Sequence, residues 1–306
     1  MTIATPQFIN LIGELAALGA AFLWAVTSVV YSRLGLNISP LQLNFFKGLI
    51  AIAFIALTLV WQQATLFNSS LATIALLSIS GIVGIGLGDT AYFAALNSLG
   101  ARRTLLLETL SPPIGAFLAL IFISEQLTAS GWCGILLTLL GIVWVISERN
   151  PASVNRRGKQ ASAQKGIIWA VLAAISQAIG AVISRFALLQ SEISPLESTL
   201  IRLIAGTLIV FLLLLVPTQT KTQPTWQLSW RSLGIIAIAA FGSTYLGIWL
   251  QQTSLKFAPT GIAQTLLATS PLFILPIVAL MGEKISIRTV LGVLIAVGGI
   301  ALMFIR

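Results

Sequence analysis

The chain has 306 residues, 57% of them hydrophobic and 8% charged, with a mean hydropathy of +1.00. A water-soluble domain carries about 25% charged residues, so this composition excludes an ordinary soluble protein and makes lipid the main solvent. The formal charge of +9 does not indicate nucleic acid, because Lys and Arg stand singly in turns or gather between Arg149 and Lys165 instead of lining a stripe interleaved with exposed aromatics.

A hydrocarbon core about 30 Å thick takes about 20 apolar residues per helix, which leaves room for about ten crossings and no sizeable soluble domain. The first apolar run, from near Leu11 to about Tyr31, has no Lys or Arg before it. A cleaved signal peptide would begin with a positive segment, so this run is predicted to be span one. Breaks at Gly, Pro, Ser and charged residues predict further boundaries, placing the first five spans near 12–32, 41–61, 71–97, 104–123 and 129–147. The other five fall near 166–188, 196–216, 232–253, 260–281 and 287–305. A polar, basic linker over 149–165 separates a unit over 1–148 from a unit over 166–306. The single cysteine, Cys133, lies in the fifth apolar run and is expected to be inert packing; it permits no internal disulfide and no multi-cysteine metal site. No cofactor is expected.

The two units repeat one another. Ile38-Ser39-Pro40-Leu41 opens span two and Ile193-Ser194-Pro195-Leu196 opens span seven, and seven residues after each proline stands a cation, Lys47 or Arg202. Ser32-Arg33 and Ser184-Arg185 close spans one and six, and Ser111-Pro112 answers Ser270-Pro271. Glu125 precedes Gly134 and Gly141 at the spacings by which Glu283 precedes Gly292 and Gly299. A repeat with an odd number of crossings ends on the side opposite its start, so the second copy is predicted to be inverted. The expected fold is therefore an all-α integral membrane protein of ten transmembrane helices, built as two inverted five-helix repeats around a central cavity.

These paired motifs, with the Gly88–Leu99 stretch and Met281-Gly282-Glu283-Lys284, resemble the drug/metabolite transporter superfamily in its EamA-type branch with two EamA domains. The resemblance covers nearly the whole chain. It implies a ten-helix bundle in which spans one to four and six to nine surround the cavity while five and ten lie outside, and it implies export or exchange of amino acids and other metabolites. Ser124-Glu125 replaces the usual Gly-Glu before span five, and Lys47 stands where arginine is common.

An ionisable side chain at the bilayer centre costs about 2.5 kcal/mol or more, so Lys47, Asp89, Glu108 and Arg202 are candidate site residues facing a cavity or a partner. A cluster of Lys47 with Asp89 or Glu108 would bind a zwitterionic solute or exchange a proton. The competing structural roles are that Lys47 and Arg202 snorkel or tie two helix ends together, and that Asp89 caps or pins the Gly-rich end of span three. Glu108 precedes Pro112-Pro113, which must leave carbonyls of span four without helical donors, and irregular backbone of that kind belongs beside a polar cavity. Trp24, Tyr92 and Trp249 offer aromatic walls with a polar edge, and Gln264 lies about two turns before the Ser270-Pro271 break, so these four complete the candidate set. Gln177 is explained by an interhelical hydrogen bond. Gly84 and Gly88, with Ser176, Gly180 and Ser184, place small residues one turn apart for close helix approach.

Gly86-Leu87-Gly88-Asp89 matches the short signature of intramembrane aspartyl proteases, but Asp89 is the only aspartate and that mechanism needs two carboxylates. The absence of histidine removes serine–histidine and His-Glu-x-x-His zinc catalysis. An enzyme is not expected. The expectation is a plasma-membrane carrier of small organic metabolites, amino-acid-like or otherwise amphipathic, that exports or exchanges by alternating access; a passive facilitator or channel is the alternative. The expected partners are the small-molecule substrate, protons as candidate coupling ion and the lipid bilayer, with the chain a monomer or weak homodimer. Charge asymmetry between loops puts the linker in the cytoplasm and both termini outside, whereas the resemblance implies cytoplasmic termini.

Overall fold

The computed structural model describes residues 6–35, 38–63, 69–146, 160–216, 229–280 and 286–304, and all regular structure among them is helical. The helices are α1 (Pro6–Leu34), α2 (Pro40–Trp61), α3 (Leu71–Leu99), α4 (Ala101–Glu108), α5 (Ser111–Phe122), α6 (Ala129–Ile146), α7 (Gln160–Leu189), α8 (Pro195–Leu215), α9 (Trp230–Phe257), α10 (Thr260–Leu267), α11 (Ser270–Leu280) and α12 (Ile287–Phe304). Six of them, α1, α2, α3, α7, α8 and α9, are long and apolar enough to cross a membrane. Shorter apolar stretches are Ser111–Phe122, Ala129–Trp144, Thr260–Pro276 and Val290–Leu302. Large apolar side chains such as Leu57, Phe122, Ile168, Ile238 and Leu294 are exposed on the outer faces, as a lipid environment requires.

Local chemistry explains where the helices begin. Ser39 and Ser194 each form a capping box with the residue three positions on, Gln42 or Glu197, and a proline fills the first helical position, where its missing N–H costs nothing. Ser70 and Ser229 cap α3 and α9 by accepting from the backbone N–H groups of Thr73 and Ser232 at 3.2 and 3.1 Å. Twelve residues after each of these two serines the helix widens into a π-helical stretch, Ile82–Asp89 in α3 and Phe241–Leu246 in α9.

Several expectations need correction. The fourth and ninth apolar runs, predicted as single helices over 104–123 and 260–281, are each broken in two, at residues 109–110 and 268–269, because Pro112, Pro113 and Pro271 remove the helical donors there. The end of the predicted linker is helical, since α7 begins at Gln160; residues 147–159, with Arg149, Arg156, Arg157 and Lys159, lie outside the described residues, as do Lys221, Met281–Lys284 and Arg306. Cys133 is exposed and does not pack into the bundle. The inward face of α6 is instead that of Ile135, Thr138 and Ile142.

Helices of the first unit pack mainly on helices of the second: α1 on α9, α3 on α7, α2 on α8, and α5 on α10. Helices α6 and α12 pack chiefly against each other. A Cβ on Gly141 would stand 2.6 Å from the Gly292 carbonyl oxygen, and one on Gly299 would stand 2.7 Å from that of Gly134, so the four repeat-related glycines form one reciprocal close approach. The small residues of α3 and α7 meet in the same way. A Cβ on Gly180 would lie 3.1 Å from Gly84 Cα, and Ser80 Oγ donates to the Gly180 carbonyl at 2.6 Å.

Candidate functional site

Two turns into α2, Asn44 and Lys47 turn toward α3. Lys47 is 4% exposed, and its Nζ forms an ion pair with Asp89 Oδ2. The other carboxylate oxygen, Oδ1, accepts from Gln177 Nε2 at 3.0 Å, and the ammonium stands 5.3 Å from the centroid of the Phe93 ring. Asp89 makes no capping bond to the helix that follows it, but its bonds to Lys47 and Gln177 pin the Gly-rich stretch of α3 to α2 and α7. It ends the π-helical stretch of α3, whose irregular carbonyls are held from α2. Asn44 Nδ2 donates to Ile85 O at 2.8 Å and to Thr90 Oγ1 at 2.9 Å, while Thr90 Oγ1 donates to Gly86 O at 2.6 Å.

The π-helical stretch of α9 is held from α1. Trp24 Nε1 donates to Ser243 O at 2.9 Å. Ser243 Oγ donates to Ala239 O at 2.8 Å, so the 2.9 Å contact with Tyr31 is donated by the phenol. Gly247 admits the indole, because a Cβ there would lie 2.6 Å from Trp24 Nε1.

Glu108 ends α4 at the proline break, and Ser111 begins α5. Glu108 Oε1 and Ser111 Oγ are buried with no hydrogen-bond partner among the described residues. The related break between α10 and α11 is satisfied differently: Ser270 Oγ donates to Leu267 O at 3.0 Å. Gln264 Nε2 reaches the Gln177 carbonyl at 3.4 Å. Arg202 is 1% exposed, and its Nε and Nη1 have no acceptor among the described residues.

The four ionisable groups, Lys47, Asp89, Glu108 and Arg202, converge on one cavity of about 120 Å³. By the same measure a single water needs about 10–15 Å³, so the space suits a solute of roughly ten heavy atoms. Of the eight candidate residues, Trp24, Lys47, Asp89, Tyr92, Glu108, Arg202 and Gln264 line it. Trp249 does not. Its neighbour Ile248 faces the cavity, and one residue further turns the side chain about 100°. Trp249 therefore packs against the core of α2, α8 and α9, with its ring centroid 6.0 Å from that of Tyr245. Neither Lys47 nor Arg202 snorkels, since both are buried. Gln177, set aside from sequence, joins the wall, as do Tyr31, Ser243 and Gln251.

The EamA-like transporter family model matches the chain twice, over residues 11–147 and 164–305. The chain belongs to the EamA-like transporter family. It is thus a multi-pass membrane protein of the drug/metabolite transporter type, in a family of transporters and not of enzymes. A solved structure titled only as the crystal structure of a protein superposes on this EamA-like chain with a TM-score of 0.74 over 95% of both chains, at 17% identity, a likeness of fold alone. No curated protein sequence matches the chain.

Proposed function

We propose that this EamA-like transporter is a plasma-membrane carrier that exports or exchanges small organic metabolites, amino-acid-like or otherwise amphipathic. It works by alternating access around the cavity between two inverted five-helix repeats, which together cross the membrane ten times. The observation that carries the proposal is the convergence of Lys47, Asp89, Glu108 and Arg202 with Trp24 and Tyr92 on one buried cavity. Buried ionisable groups in lipid are retained where they meet a solute or an ion, and aromatic walls hold the apolar part of an amphipathic one.

The matching serine caps, π-helical stretches and proline breaks of the two units support the repeat. Widened and broken helices around a central site are what a repeat needs to exchange conformations, because their backbone bonds can re-form at low cost. The proton is the proposed coupling ion, with Glu108 as its carrier, since its carboxyl has an unpaired oxygen in the cavity. The chain acts as a monomer or weak homodimer.

Glu108→Gln tests the site with little change of shape. In reconstituted vesicles kcat/KM is expected to fall on the order of tenfold or more, the loss of one charge-assisted hydrogen bond. An unchanged rate and affinity in a folded variant would remove Glu108 from the site.

A further inference from the structure

The two units share a scaffold but not its charges. Lys47 and Arg202 are repeat counterparts, each seven residues after its proline. Nineteen residues after the α3 cap, Ser70, stands Asp89; nineteen after the α9 cap, Ser229, stands Ile248. Lys47 therefore has a carboxylate across its helix interface, whereas the position in α9 that matches Asp89 is the apolar Ile248. Ile248 and Arg202 line the same cavity.

A buried guanidinium with two unmet nitrogens is a costly element, because each charged donor withdrawn from water needs an acceptor. Such donors are used where an anion arrives to complete them. We propose that Arg202 is the anion subsite of the cavity and binds the carboxylate of a small monocarboxylic acid. This rests on the cavity being the solute site. Lys47 does not compete for that carboxylate, since Asp89 already neutralises it. A dianion such as a phosphate monoester is disfavoured, because Arg202 is, among the described residues, the one cation of the cavity lining without a paired carboxylate and balances a single negative charge. The unpartnered Glu108 Oε1 and Ser111 Oγ supply acceptors for a hydrogen-bond donor elsewhere on the same solute, an ammonium or a hydroxyl. The aromatic wall of Trp24, Tyr31 and Tyr92 takes its apolar part.

The test is equilibrium binding to the purified full chain, read as the shift of the thermal unfolding midpoint with ligand concentration. The probes are L-leucine, 2-hydroxy-4-methylpentanoate, L-leucinamide and isoamylamine, with the corresponding phenylalanine series. Acids of at least one series are expected to stabilise the protein saturably, with the amides and amines on the order of tenfold or more weaker. In Arg202→Gln the difference between acid and amide disappears, and Arg202→Lys restores part of it. Ile248→Asp puts a further carboxylate on the cavity wall at the place matching Asp89 and is expected to lose acid binding in the same way, which covers the case in which Arg202→Gln fails to fold. Equal binding of acids and amides, no binding of either acid series, or an acid preference that survives in Arg202→Gln or Ile248→Asp would overturn the proposal. The carrier reading is judged separately in vesicles. Transport indifferent to the carboxylate would leave the carrier standing without this subsite, and acid binding without transport would do the reverse.

Discussion

Lys47→Ala is expected to lower the stability of the protein by about 3–5 kcal/mol and to abolish saturable transport. The stability loss comes from Asp89, which keeps one hydrogen bond from Gln177 but loses its counter-charge in a low-dielectric interior. Because the penalty belongs to the orphaned charge, removing both charges relieves it. The double variant Lys47→Met/Asp89→Leu is expected to recover most of the unfolding midpoint while remaining inactive in reconstituted vesicles. A double variant as unstable as Lys47→Ala would show that packing around the two side chains, and not their charges, sets the energy. A stable double variant that still transports would remove the pair from the site.

Arg185→Ala is expected to have a comparable effect on stability, about 3 kcal/mol or more, for a different reason. Arg185 Nε pairs with Glu125 Oε1 at 3.0 Å, and its Nη1 donates to the Leu255 and Lys256 carbonyls at 2.6 and 2.7 Å, in the last turn of α9. Glu125 Oε2 in turn accepts from the Thr260 backbone N–H at 2.7 Å, at the start of α10. One guanidinium and one carboxylate thus satisfy orphan carbonyls at one helix end and an orphan donor at the next. Lysine has no fork with which to reach both carboxylate and carbonyls, so Arg185→Lys is expected to recover only a minor part of the lost unfolding midpoint. Full recovery by lysine would reduce the cluster to a simple charge pair.

Much of the fold was legible because its determinants are local. The Ser-Pro openings of α2 and α8 state their own capping boxes, and Pro112, Pro113 and Pro271 state where backbone donors are missing. The breaks at 109–110 and 268–269 followed from those same prolines, yet an apolar run of about 20 residues reads as one helix until the unsatisfied carbonyls are counted. The π-helical stretches were not legible, since Gly84 and Gly88 read equally well as close packing, which they also provide.

Seven of the eight candidate residues share one cavity because ionisable and amphipathic side chains in lipid have few other places to go. Trp249 lies outside the cavity, which the sequence did not foretell for a related reason. A span that is apolar toward both lipid and core gives periodicity little to separate the faces. Gln177 was missed because an amide that joins two helices and one that also holds a site carboxylate look the same in sequence; only the position of Asp89 separates them.

The carrier proposed for this chain binds a small solute in the cavity and moves it by alternating access. The most direct measurement is uptake, efflux and counterflow of a panel of labelled amino acids and small metabolites in proteoliposomes, with and without an imposed pH gradient. Saturable movement of one solute class is expected, accelerated by unlabelled solute on the opposite side, a property of a binding site that faces one side at a time. Movement that neither saturates nor responds to solute across the membrane would contradict it in favour of a channel, and no movement of any class would contradict the substrate assignment.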